Sequence, residues 1–71
     1  MERHIQNNSW LEIVNAAVKT RKEQKVSQKR LSAITGISTQ TISRFEQGQE
    51  DIQLSTALKI LEALGMQLVQ G

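Results

Sequence analysis

Between Ser27 and Gly48 the chain carries two helical patterns, each about two turns long, separated only by Gly36-Ile37-Ser38. Leu31 and Ile34 are the expected inward residues of the first, Gln28 to Thr35, and Ile42 and Phe45 those of the second, Thr39 to Gln47. Ser27 and Ser38 stand where helix N-caps belong, and Gly36 and Gly48 where helices stop. In so tight a turn Gly36 supplies the positive φ and Ile37 plugs the core between the two helices. Ser27 to Gln47 is therefore expected to form two helices crossing at an angle, with Thr39, Gln40, Thr41, Ser43 and Arg44 facing outward.

The flanking segments supply what such a pair needs to pack against. Ser9-Trp10-Leu11-Glu12 fits a capping box, and Leu11, Val14, Ala17, Val18 and Arg21 then recur at three- and four-residue intervals, predicting a helix to about Gln24. After a polar loop, Gln49 to Gln53, the pattern Leu54, Ala57, Leu58, Leu61, Leu64 predicts a further helix that ends at Gly65, with Ile60 widening its buried face. The expected core is Leu31, Ile34, Ile42, Phe45, Leu58 and Leu61. Met66 to Gln70 reads as a short strand with no partner in its own chain. The expected organisation is a flexible arm over 1–8, an all-α domain over 9–65 and a C-terminal strand over 66–71.

Composition narrows the chemistry. The 71 residues suffice for one domain. There is no Cys and a single histidine, His4, so no thiolate nucleophile and no metal site are expected. No apolar run approaches the roughly 18 residues of a membrane span, and a cytoplasmic location is the simplest reading. The carboxylates are scattered and no glycine-rich phosphate loop is visible, so neither an enzyme nor a cofactor is expected.

The charge is uneven. Net charge is only +2, but six of the nine basic residues, Lys19, Arg21, Lys22, Lys25, Lys29 and Arg30, fall in one stretch containing the single acid Glu23. A concentrated basic patch attracts phosphate, and the angled pair beside it has the shape of a helix-turn-helix. In that motif the second helix enters the major groove of double-stranded DNA while the first crosses the backbone. The outward residues suit the task. Gln40 can present an amide to adenine, Arg44 can fork onto guanine, and the methyls of Thr39 and Thr41 can meet thymine methyls, with Ser43 on the same surface. Gln28, Lys29 and Ser38 are placed to meet phosphates. Exposed Thr and Ser are mediocre helix formers, which makes a merely soluble face the weaker explanation.

Taken together, Arg21, Ser27-Gln28, Leu31, Gly36-Ile37-Ser38, Thr41-Ile42-Ser43, Phe45-Glu46-Gln47-Gly48 and Leu58 to Gly65 resemble the Cro and lambda-repressor (XRE) type helix-turn-helix family. The resemblance covers about Val14 to Leu64. It implies a domain of four or five helices that binds palindromic operator DNA as a homodimer, Gln28 touching a phosphate and Ser38 to Arg44 forming the base-reading surface. It also implies a structural ion pair between Arg21 and Glu46. Where the family often has Gly or Asn at the end of the first helix this chain has Lys25, so either a left-handed lysine or a different turn is expected.

The segment after Gly65 resembles that of HipB-type antitoxins, which implies strand pairing across the dimer through Met66, Leu68 and Val69, autoregulation, and a kinase-like toxin as partner. A phage-type repressor and a restriction-system controller protein are the alternatives within DNA binding. A module that neutralises a partner protein without DNA is the alternative outside it. Such a module would usually show an exposed apolar stripe, which Ser38 to Arg44 lacks.

Overall fold

The computed structural model describes residues 9–67, which form four helices: α1 (Trp10–Glu23), α2 (Gln28–Thr35), α3 (Thr39–Glu46) and α4 (Leu54–Ala63). The starts of the first three are local events. Ser9, Ser27 and Ser38 are extended, and their hydroxyls accept from the backbone N–H three residues on, at 3.5, 3.0 and 3.1 Å. Gln53 precedes α4 without a side-chain cap bond.

The ends are equally local. Helices α1, α3 and α4 close with the same pair of reversed hydrogen bonds, completed by Val26 N–H to Arg21 O at 3.1 Å, Gln49 N–H to Arg44 O at 3.2 Å and Met66 N–H to Leu61 O at 2.9 Å. The left-handed residue this motif requires is Gly48 in α3 and Gly65 in α4, but Lys25 in α1, with φ of 60°. Of the two expectations for Lys25, the left-handed lysine is the one observed. Its side chain crowds the following carbonyl at a cost of about 1–2 kcal/mol, whereas glycine there would free the unfolded chain by about 0.5–1 kcal/mol. Lys25→Gly is therefore expected to stabilise the domain by up to about 1 kcal/mol. An increase in the urea midpoint at constant slope would register it, and a lower midpoint would contradict it.

The core draws on all four helices: Val14 and Ala17 from α1, Leu31 from α2, Ile42 and Phe45 from α3, and Ala57, Ile60, Leu61 and the following Leu64 from α4 and its cap. Trp10, Ile13, Val18, Val26, Ile37, Ile52, Leu58 and Met66 pack around it half-buried.

Three expectations about this core need correction. Ile34 is 55% exposed, Leu11 57% and Leu54 67%. In α2 the inward stripe runs through Gln28, Leu31, Ser32 and Thr35, and Ile34 lies about 100° round the helix from its centre. In α1 the stripe is Trp10, Ile13, Val14, Ala17, Val18 and Arg21, so Trp10 takes the inward place expected of Leu11. Leu54 shares a face with the buried Leu61, seven residues on, but the core does not reach under the first turn of α4.

No strand occurs among the described residues. Met66, expected as the start of one, is instead half-buried against the core, and its N–H is spent closing α4. Leu68 and Val69, like the expected arm Met1 to Asn8, lie outside the described residues.

Candidate nucleic-acid interface

The turn between α2 and α3 is built from its own side chains. Thr35 Oγ1 donates to Leu31 O at 2.8 Å and accepts from Ile37 N–H at 3.1 Å, while Gly36 takes φ of 79°. Ile37 is thereby turned onto the core, and Ser38 emerges extended to cap α3. Ile42 and Phe45, both fully buried, then fix which side of α3 faces inward. The rest of the α3 surface carries Thr39, Gln40, Thr41, Ser43 and Arg44.

These five are not equivalent. Thr39 and Gln40, at the start of α3, are exposed, and their side chains have no hydrogen-bond partner among the described residues. Thr41, Ser43 and Arg44 are half-buried and already engaged. Thr41 Oγ1 accepts from Ser38 Oγ at 3.0 Å, Ser43 Oγ accepts from Gln47 Nε2 at 3.1 Å, and Arg44 reaches into the loop after α3. The two open positions thus lie together at the N-terminal end of α3.

The expected phosphate-side residues also separate. Lys29 is exposed in the first turn of α2, beside Arg30. Ser38 is exposed but holds the α3 cap. Gln28 is half-buried, and its Nε2 donates to Glu46 Oε1 at 2.8 Å.

That contact belongs to a small hub. Arg21 Nε donates to Glu46 Oε2 at 2.6 Å and Nη2 to Oε1 at 3.0 Å, a two-point pairing in which each side chain is only 11% exposed. Arg21 Nη1 donates to Val26 O at 2.8 Å. The hub joins the last turn of α1, the start of α2 and the end of α3, so the angle of α3 is set by charge as well as by core packing. It also withdraws Arg21 from the basic surface, which is left with Lys19, Lys22, Lys25, Lys29 and Arg30 facing solvent.

Trp10, which carried no role in the sequence reading, also holds the C-terminal end of α3. Its indole N–H is shared between the carbonyls of Gly48 and Gln49, 3.1 Å from each, and its ring meets Phe45 edge-on at 5.5 Å and 84°. Gly48 suits this position because its φ is 85°; a Cβ would sit 2.8 Å from Leu11 Cδ2, the movable end of an exposed side chain. The signal for Trp10 was its place four and seven residues before Val14 and Ala17, on the same helical face. Asp51 and Gln49, the partners of Arg44, had no such signal, because no local spacing rule joins a helix residue to the loop after it.

Among the described residues there is no group of three or more metal-ligating side chains, and no helix is long and apolar enough to cross a membrane.

Comparison with known proteins agrees with this geometry. The helix-turn-helix family model matches residues 19–70. An uncharacterized HTH-type transcriptional regulator from Haemophilus influenzae is 33% identical over 63 residues, covering 89% of this chain. The chain spans 64% of that relative's length. No solved structure gave a significant match. The chain belongs to the XRE-type helix-turn-helix family.

Proposed function

We propose that this protein is a sequence-specific double-stranded DNA-binding repressor that reads the major groove with α3. The observation that carries this reading is the division of α3: Ile42 and Phe45 are wholly buried, while Thr39 and Gln40 stand open and polar at its N-terminal end. In the proposed pose Gln40 pairs with an adenine and Arg44 with a guanine, and Thr39, Thr41 and Ser43 contact neighbouring base edges. Lys29, Ser38 and Gln28 hold the backbone, and the remaining cations steer the approach. Gln28 would use the second hydrogen of its Nε2, or rotate away from Glu46, to donate to a phosphate.

One such head contacts few base pairs, so the functional unit in this reading is a homodimer on a palindrome, its recognition helices about 34–36 Å apart. Met66, Leu68 and Val69 are the proposed contacts between copies, with Met66 also serving the α4 cap. The alternation of Met66 to Gln70 directly after Gly65 further favours an autoregulating antitoxin of the HipB type, acting with a kinase-like toxin. Co-purification with the product of an adjacent gene would test that narrower assignment.

Selection of bound duplexes from a random pool tests the main reading. The expected product is a palindrome with half-sites one helical turn apart, and enrichment of no sequence would refute it. On the selected duplex, Gln40→Ala is expected to weaken binding by about 1–3 kcal/mol with an unchanged melting curve. Equal affinity of variant and parent would remove Gln40 from the reading surface.

A further inference from the structure

Arg44 is the sole cation of α3, and its guanidinium is held from one side only. Nε donates to Gln49 Oε1 at 2.9 Å, and Nη2 pairs with the Asp51 carboxylate. Nε and Nη2 share one edge of the planar group. The end formed by Nη1 and the second hydrogen of Nη2 has no partner among the described residues. That end is a two-donor fork of the shape that matches O6 and N7 of guanine.

The loop that carries both acceptors is itself anchored. The Gln49 carbonyl accepts from the Trp10 indole at 3.1 Å, and its N–H donates to Arg44 O at 3.2 Å. Ile52, next in the chain after Asp51, packs on the core. The loop is thus tied on both sides of Asp51 to the body that carries α3. As a source of fold stability the pair has little to offer, since Arg44 is 42% and Asp51 68% exposed and such pairs are screened by solvent. Its consequence is orientation. A long, rotamer-rich side chain loses freedom when it docks, and one already held in place loses less.

We propose that Asp51 is a positioning residue that sets specificity: it holds Arg44 with the two-donor end presented to a guanine in the major groove. This rests on the DNA-reading role of α3 given above. The carboxylate also repels the phosphate backbone, so Asp51 trades affinity for any duplex against discrimination at one base pair.

The test uses the full chain and the duplex selected from the random pool, with every base pair of one half-site varied in turn. Asp51→Ala is expected to lower the preference for guanine at a single position about three- to tenfold, the span expected for loss of one preorganised side chain. Preferences elsewhere should be unchanged, and affinity for an unrelated duplex should rise. In an Arg44→Ala background the same change should leave every preference unaltered. Asp51→Asn, which keeps an acceptor oxygen, should retain more of the preference than Asp51→Ala. A uniform loss across all sequences, or unchanged preference at every base pair, overturns the role of Asp51 while leaving DNA binding intact. Failure to select any duplex overturns both, and a thermal melt of each variant separates either result from misfolding.

Discussion

Phe45→Ala is expected to leave the domain largely unfolded. Phe45 is the largest side chain buried completely, and it joins α3 to α1 through its edge-on contact with Trp10. Truncating a buried phenylalanine costs about 3–5 kcal/mol, because the removed surface is lost and the cavity collapses only partly. A domain of this size holds only about 0.05–0.15 kcal/mol per residue, so that cost approaches the whole stability. Among the described residues the core numbers nine, two of them alanines, and has little else to redistribute the load onto. Loss of a cooperative thermal transition, followed by helical circular dichroism, is the expected signature. A variant that melts cooperatively within about 1 kcal/mol of the parent would mean that Phe45 does not anchor the core.

Glu46→Ala is expected to do comparable damage by a different route. It strands the Arg21 guanidinium, nine-tenths withdrawn from water, and removes the acceptor of Gln28. An uncompensated charge at such a site costs about 3–5 kcal/mol, against at most about 1 kcal/mol for an exposed pair. The contrast can be measured in one series. Urea unfolding should show a large loss for Glu46→Ala alone, whereas replacing Arg21 by Met and Glu46 by Leu together should recover most of it, since apolar residues of similar size need no partner. A loss below about 1 kcal/mol for the single change would place the pair in effective contact with solvent. The double replacement should carry a functional cost even where it restores stability, because Gln28 loses the carboxylate that orients it at the start of α2.

The contrast between these two residues reflects a broader division. Ser9, Ser27 and Ser38 could be assigned as caps, and Gly36, Gly48 and Gly65 as stops, from the chain alone. Each assignment is satisfied by atoms within about five residues, and neither caps nor left-handed turns depend on what lies across the molecule. The inward side of α3 was equally readable, since Ile42 and Phe45 are its only apolar residues. The four helices, the angled pair and the polar stretch Ser38 to Arg44 were thus legible in the residues alone.

Which residues fill the core, and which polar groups remain open, depends instead on how the helices pack. Periodicity marks a face within the width of a side chain, but burial depends on where the neighbouring helix ends. Hence Trp10 lies inside where Leu11 was expected, and Ile34 and Leu54 stand in water. Hydrogen-bonding capacity is likewise spent across the fold: Gln28 on Glu46, and Arg44 on Gln49 and Asp51. Spacing along one helix can place donors on a common face, but the acceptors that reach them from other segments exist only once the chain has folded.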